Sequence, residues 1–130
     1  MKKQLNAVKE FHDKFKYEQS ETITLVPEEK FILRHKLMAE ENQEYLMACA
    51  TDDIVEIADA LGDQLYILCG TILTHGLQHK IEEVFDEIRR SNMSKLDKDG
   101  NPIYREDGKI LKGENYTPPN IKPIIEDESK

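Results

Sequence analysis

Apolar residues recur every three or four positions through most of the first 95 residues, which is the periodicity of amphipathic α-helices. The third such run is the most apolar and places Ile54, Leu61, Leu65 and Leu68 on one face. The predicted helices span residues 4–18, 27–50, 53–75 and 79–95.

Residues at the ends of these segments are those that typically begin and end helices. Pro27 suits a first helical turn, because its φ is fixed near the helical value and its missing N–H would have no partner there. Asp53 can cap the third helix, and Gly76 can end it in a left-handed conformation. Short connections make neighbouring helices antiparallel, so we expect an all-α fold, an antiparallel four-helix bundle.

The pattern changes after residue 96. Two turn dipeptides, Asp99-Gly100 and Asp107-Gly108, flank the segment 103–105 and predict a short hairpin. Pro118-Pro119 and the acidic residues 126–128 predict an extended, partly disordered tail. We therefore expect a helical bundle over residues 1–96, with 97–130 as a hairpin and tail of the same domain.

Composition and charge narrow the classes of partner. The chain of 130 residues has a net charge of −8, which repels nucleic-acid backbones and anionic membranes. No segment approaches the ~20 apolar residues that a membrane span needs, and residues 1–4 do not begin a signal peptide. Cys49 and Cys69 are interpreted as buried apolar residues of a reducing compartment. We expect a cytoplasmic protein with neither nucleic-acid nor membrane partners.

Carboxylates occupy positions on two helices where apolar residues are expected. Glu40 and Glu44 project about 40° apart on the second helix, within the predicted core-facing stripe, and Glu41 lies at its edge. The third helix carries a further set on one face. These residues are Glu56, Asp59 and Asp63. An antiparallel hairpin of the two helices would bring both sets together.

Six carboxylates in one place raise each other's pKa values unless a positive charge compensates them. We find no Lys or Arg on the predicted facing stripes. Arg34 and Lys36 could reach a substrate from the second helix, but a solvated position is expected for both. Oxygen ligands favour Mg²⁺, Mn²⁺ or Ca²⁺ over zinc. Acidic residues at helical spacing more commonly form a solvated face. A non-catalytic helical module whose acidic stripe binds a basic partner or a structural cation therefore remains an alternative.

Two acidic motifs carry a family resemblance. Glu40-Glu41-Asn-Gln-Glu44, followed by Glu56-Ile-Ala-Asp59, resembles the EExxE…ExxD signature of the MazG-like all-α NTP pyrophosphohydrolases. The segments 91–95 (SNMSK) and 102–109 (PIYREDGK) are similar to the tail of the phosphoribosyl-ATP pyrophosphohydrolase-like branch. The resemblance covers roughly residues 27–120.

The resemblance implies a Mg²⁺-dependent enzyme that cleaves the α–β phosphate bond of a nucleoside triphosphate, giving the monophosphate and pyrophosphate, with Mn²⁺ as a possible substitute. It implies a homodimer or a dimer of dimers. The metal ligands that it implies are Glu40, Glu41, Glu44, Glu56 and Asp59. Glu41 is the residue that we favour for orienting or deprotonating the attacking water.

Three further residues have less specific roles, and the resemblance implies a role only for Asn92 and Lys95. Asp63 lies outside the core signature and is assigned to a supporting position behind the ligands. Asn92 and Lys95 would contact the phosphate or sugar of the substrate, although Asn92 could equally be an ordinary cap and Lys95 could complement a helix dipole. The nucleotide remains open among dUTP, other or modified dNTPs and phosphoribosyl-ATP, because no motif specifies the base.

Overall fold

The fold is known from a computed structural model that describes residues 1–128, and it confirms the all-helical class. Among the described residues, β pairing is limited to one isolated antiparallel bridge, between Tyr104 and Ile110. The predicted helices are confirmed to within three residues at each end, and a short fifth helix follows. The helices are α1 (Lys2–Phe15), α2 (Glu28–Ala50), α3 (Ile54–Thr74), α4 (Ile81–Met93) and α5 (Lys122–Glu126).

The chain packs as two compact units, Met1–Gln78 and His79–Lys130. The first unit holds α1, α2 and α3, and the second holds α4, the hairpin and α5. The sequence-based division into residues 1–96 and 97–130 stays a prediction. None of the helices within residues 1–128 is long and apolar enough to cross a membrane.

A three-residue connection sets the pairing of α2 with α3. Asp52 adopts the left-handed conformation with φ 53°, which reverses the chain at once. The Asp53 side chain then accepts hydrogen bonds from the backbone N–H groups of Val55 and Glu56, both at 3.1 Å. This cap satisfies two donors that the start of a helix leaves unpaired. The predicted cap is therefore confirmed.

The other end of α3 closes in a Schellman motif. Gly76 has φ 69°, and its N–H donates to the carbonyl of Leu73 while the N–H of Leu77 donates to the carbonyl of Ile72. The connection between α1 and α2 returns across this end, where the N–H of Ser20 also donates to the Leu73 carbonyl. The predicted role of Gly76 is confirmed.

Helix α1 packs along α3, and Gly70 is the point of close approach. A Cβ at this position would lie 2.5 Å from Nη2 of Arg34 and 2.8 Å from Nε2 of His12, so only glycine fits without movement. Phe11 meets Tyr66 edge to face one turn away, with ring centroids 5.5 Å apart. The buried apolar side chains of the unit are Leu5, Val8, Ala48, Ala60, Cys69, Ile72 and Leu73.

Arg34 is buried, so the prediction of a solvated side chain is wrong. Only 8% of the residue is exposed. Its Nε donates to Oγ1 of Thr71 (3.0 Å) and its Nη2 donates to the carbonyl of Ile67 (2.9 Å), which ties α2 to α3. These acceptors come close to Arg34 only in the folded hairpin, and therefore the pattern of α2 alone could not reveal them.

The second unit contains the predicted hairpin and a more ordered tail than expected. The N–H of Arg105 donates to the carbonyl of Lys109 at 2.8 Å. Arg90 donates to Oγ1 of Thr117 (2.6 Å) and to the carbonyl of Pro118 (3.1 Å), so side chains of α4 hold the proline segment. The proline segment is therefore hydrogen-bonded and is followed by α5, and residues 129 and 130 of the predicted tail lie outside the described residues.

The two glycines within α3 give a matched test of this packing. Gly70→Ala should lower the free energy of unfolding by about 1–3 kcal/mol, because the new methyl group must displace the hydrogen-bonded Arg34 or the buried His12. Gly62→Ala should instead raise it by up to about 1 kcal/mol, because within residues 1–128 no atom beyond its chain neighbours and the backbone of its own helix lies within 4 Å of a Cβ there, and alanine favours the helix. Urea denaturation measures both, and equal effects at the two sites would contradict the packing.

Candidate metal centre

The hairpin places residues equidistant from Asp52 at the same level of the two helices. Glu41 and Asp63 each lie eleven residues from Asp52 along the chain, and are therefore level with each other. Nε2 of Gln64 donates to Oδ1 of Asn42 at 3.0 Å, which is direct evidence for this pairing. The register thus joins the middle of α2 to the middle of α3.

Three carboxylates meet at this level. One oxygen from each of Glu41, Glu44 and Asp63 lies within 4.8 Å of the others. Glu41 and Glu44 are three residues apart and so share a face of α2. Ala60, which is buried, lies level with Glu44 on α3 and leaves space for the longer side chain. The arrangement brings two glutamates from one helix against an aspartate from the next.

Glu41 has the most perturbed environment of the three. Desolvation by burial, a hydrogen bond with Glu44, and the charges of Glu44, Asp63 and Asp59 raise the pKa of Glu41 to about 7. Its Oε2 atom is buried and has no hydrogen-bond partner among the described residues. A buried acceptor without a donor is costly, so this oxygen is suited to a cation or a proton.

The donor set fits a hard divalent cation. All three side chains offer oxygen, which Mg²⁺ and Mn²⁺ prefer, and none offers the sulfur or imidazole nitrogen that favours zinc. An ion between Glu41, Glu44 and Asp63 would satisfy the orphaned Oε2 atom and remove the mutual repulsion. The residues present therefore fit the Mg²⁺ that the sequence suggested.

The face of α2 that points toward α3 is rotated about the helix axis, by about one residue, from the predicted face. Arg34, Glu41 and Ala48 recur every seven positions and point toward α3, whereas Leu33 and Met47 are exposed. Glu40, which the sequence placed on the inward stripe, is consequently exposed and lies outside the group of three carboxylates. The turn fixes this rotation, and the hydrophobic pattern of α2 did not.

The remaining predicted ligands on α3 lie nearer to the turn than the group. Glu56 is exposed in the first helical turn, and Asp59 is exposed one turn before Asp63. Asp59 still acts on the centre, since its charge helps to raise the pKa of Glu41. Asp63, which the sequence assigned to a supporting position, is the aspartate within the group. The roles of all these residues as ligands stay predictions.

Asn92 and Lys95 lie at the end of α4, in the second unit. Asn92 is exposed, and its carbonyl accepts a hydrogen bond from the N–H of Lys95 at 3.2 Å. The carbonyl of Lys95 accepts from the N–H of Gly113 at 2.9 Å, which joins the helix end to the tail. Ser94, rather than Asn92, is the C-terminal cap of α4. Substrate contact by Asn92 and Lys95 stays a prediction.

Sequence reasoning missed the burial of Arg34 and gave Asp63 only a supporting position. Counting from the turn would have paired Glu41 with Asp63, so a signal for Asp63 was present. Arg34 lies seven residues before Glu41 on the same face, and its burial has no comparable local signal.

Comparison with known proteins identifies the family. The sequence profile of the family "Phosphoribosyl-ATP pyrophosphohydrolase" matches residues 8–92, which is more than half of the chain and includes the six carboxylates of α2 and α3 discussed above. The chain belongs to this family. The resemblance found in the acidic motifs is thereby confirmed. No curated protein matched the chain in a separate comparison.

This member of the phosphoribosyl-ATP pyrophosphohydrolase family is also similar to a solved structure, over more of its length than the family profile covers. The chain is similar to a candidate NTP pyrophosphohydrolase from Exiguobacterium sp. 255-15, whose crystal structure was determined at 1.78 Å resolution. The two are 27% identical with a TM-score of 0.51, and the match covers 95% of this chain and 91% of the other. Family and structural neighbour together support a pyrophosphohydrolase type of activity.

The raised pKa of Glu41 predicts a pH-dependent stability in metal-free protein. Folding favours the protonated form of Glu41. The contribution of this residue to the free energy of unfolding is therefore fully present below its unfolded pKa of 4.5, and it is lost as the pH rises through about 7. Glu41→Gln removes this loss. From pH 5 to pH 8, the free energy of unfolding of the variant should therefore rise by on the order of 2 kcal/mol relative to that of wild type. This figure is smaller than the full pKa shift would give, because solvent screens the charges.

Urea denaturation in EDTA at the two pH values measures this difference. Glu10→Gln is the matched control, because Glu10 is an exposed glutamate on α1. A stability difference between Glu41→Gln and wild type that does not change with pH would contradict the assigned environment of Glu41.

Proposed function

We propose that the protein is a Mg²⁺-dependent nucleoside triphosphate pyrophosphohydrolase. The reaction would cleave the bond between the α and β phosphates, giving a nucleoside monophosphate and pyrophosphate. The observation that carries the proposal is the grouping of Glu41, Glu44 and Asp63 between α2 and α3, within the residues that match the family. An orphaned carboxylate oxygen at the same place supports a cation there.

The roles of the chain's own residues follow from their positions. Glu44 and Asp63 would hold Mg²⁺ together with Glu41, and Glu40, Glu56 and Asp59 are proposed as further ligands from the family signature. When bound, Mg²⁺ lowers the pKa of coordinated water and offsets phosphate charge. Glu41, which belongs to the group of carboxylates, would orient the attacking water or accept its proton.

Binding of an anionic substrate by an acidic protein requires local compensation of charge. The net charge of −8 disfavours a polyphosphate at long range, whereas a cation held by carboxylates reverses the local field. Lys95 could add a positive charge near the phosphates, and Asn92 could hydrogen-bond to sugar or base. Both roles rest on the SNMSK segment of the family resemblance.

The substrate is proposed as a class and not as one compound. dUTP, other or modified dNTPs and phosphoribosyl-ATP all contain the bond that the reaction breaks. Selection among them depends on the shape of a base or sugar pocket. Mn²⁺ as a substitute ion and a cytoplasmic location stay predictions from the sequence.

The proposal is tested by turnover with a panel of NTPs and dNTPs in Mg²⁺. Wild type should release pyrophosphate and the monophosphate from at least one nucleotide. Glu44→Ala and Asp63→Asn should each lower kcat/KM by about a hundredfold or more, because each removes a ligand oxygen. Glu10→Gln, on the exposed face of α1, should retain activity.

Absence of turnover with every nucleotide, in protein shown to be folded, would contradict the enzymatic proposal. A non-catalytic module that binds a basic partner or a structural cation through its carboxylates would then be the better account. Equal activity of wild type and both variants would reject the assigned residues instead.

We also propose that the protein is a homodimer or a dimer of dimers. Three leucines of α3, spaced by four and three residues, remain 41–48% exposed, and they are Leu61, Leu65 and Leu68. Such a stripe on a helix is self-complementary across a two-fold axis, so a second copy is the occupant that we propose.

Leu65→Asp should therefore weaken association, because a carboxylate would enter an apolar interface. Sedimentation equilibrium of the full chain measures the effect, with Lys36→Asp on the exposed face of α2 as a control. A monomeric wild type at micromolar concentration would contradict the proposal.

A further inference from the structure

A cavity of about 220 Å³ lies in the first unit, away from the carboxylates. It is formed where α1 ends, where the following loop begins and where α2 completes its first two turns. Its walls include Lys16, Tyr17, Glu18, Lys30 and Arg34. This volume is below the roughly 300–1,000 Å³ of pockets that hold drug-sized ligands, so it suits a small ligand.

The charges around this cavity are opposite in sign to those of the protein as a whole. Lys16, Lys30 and Arg34 contribute three positive charges, and Glu18 contributes one negative charge. The Glu18 carboxylate is already paired with the ammonium of Lys30. Two positive charges therefore remain without a carboxylate at this wall, in a chain whose net charge is −8.

Among the residues that line the cavity, Arg34 is the one best suited to bind an anion, because its positive charge is buried. Its guanidinium is buried, and both of its hydrogen-bond acceptors, the Thr71 hydroxyl and the Ile67 carbonyl, are neutral. Among residues 1–128 its hydrogen bonds come from Nε and Nη2, and neither acceptor is a carboxylate. A guanidinium has five N–H donors in a fixed fork, so the donors left over can bind an oxyanion.

The buried neighbour of Arg34 in the interior is His12, which carries no negative charge. His12 is 3% exposed, and its Nε2 lies beside Nη2 of Arg34, since a Cβ at Gly70 would be 2.8 Å from the first and 2.5 Å from the second. Burial and the nearby Arg34 charge lower the pKa of His12, and its Nδ1 atom has no partner among the described residues. Burial likewise lowers the pKa of Arg34 itself. The two groups that accept hydrogen bonds from Arg34 are thus both neutral.

We propose that this cavity is a binding site for a phosphate-type oxyanion. The free donors of Arg34, the Lys16 ammonium and the Tyr17 hydroxyl are the groups that would bind it. The site is separate from the carboxylates, since Arg34 lies seven residues before Glu41, or about 10 Å along α2. Binding requires neither a metal ion nor turnover, so this inference does not rest on the proposed function.

Two sources share this chemistry: free inorganic phosphate and the phosphoryl group of a nucleotide. Titration of inorganic phosphate into the full chain, in EDTA and at constant ionic strength with chloride, tests the site directly. Saturable binding is expected, with a shift of the Arg34 Nε–H resonance in ¹⁵N spectra. Adding a nucleoside monophosphate then separates the sources. Competition supports a nucleotide phosphoryl group, and a lack of competition supports free phosphate.

The variants test which groups bind. Lys16→Gln should weaken phosphate binding about fivefold or more, because it removes one charge from an exposed position at the wall. Lys36→Gln is the matched control, because Lys36 is exposed on α2 and does not line the cavity, and it should leave binding unchanged. Arg34→Gln should abolish binding, with circular dichroism used to verify that this variant is folded.

Lys16→Gln keeps the proposal falsifiable even if Arg34→Gln does not fold. Three results would overturn the proposal. They are the absence of saturable binding to wild type, a binding constant unaffected by Lys16→Gln, and an equal loss in Lys36→Gln that indicates general attraction of anions.

Discussion

Repulsion among carboxylates held between α2 and α3 is the constraint on which the centre of this protein depends. The turn at Asp52 and the Asp53 cap fix the register, and the register places Glu41 level with Asp63. Packing that would ordinarily bury apolar side chains buries a carboxylate oxygen instead. The fold therefore carries a local destabilisation that a proton or a divalent cation relieves, which connects the hairpin geometry to metal binding.

The same face of α2 contains a second buried charge of opposite sign. Arg34 and Glu41 are seven residues apart and both point toward α3, yet neither compensates the other, since Arg34 is not among the groups that shift the pKa of Glu41. Arg34 is hydrogen-bonded to neutral oxygens of α3, whereas one oxygen of Glu41 has no partner within the described part of the chain. One helix thus presents an electropositive cavity near its start and an electronegative centre near its middle.

Local signals were sufficient for the helices and their ends. Asp53 and Gly76 each act through the backbone of their own neighbours, so their roles at helix boundaries could be predicted from the sequence. Pro27 was expected in the first turn of α2 and is instead the extended residue immediately before it. The helical class and the family also followed from local patterns, because the acidic motifs lie on single helices.

The rotation of α2 could not be predicted in the same way. The hydrophobic pattern placed Glu40 and Glu44 inward. The folded hairpin keeps Glu44 in the group of carboxylates, but it places Arg34 and Glu41 inward instead of Glu40 and leaves Leu33 exposed. Exposed leucines on a helix blur the apolar stripe on which such a prediction depends. The choice between Asp59 and Asp63 likewise depended on the register across the turn, which is a property of two helices. The burial of Arg34 depended on Gly70 and Thr71, which lie more than thirty residues away.

The most direct test of the metal centre is Mn²⁺ binding to the full chain, measured by electron paramagnetic resonance in the absence of nucleotide. The account predicts saturable binding that weakens by about tenfold or more in Asp63→Asn and is unchanged in Glu10→Gln, because only the former removes an oxygen from the group. Undetectable binding to wild type, or equal binding to wild type and Asp63→Asn, would contradict the claim that these carboxylates hold a cation.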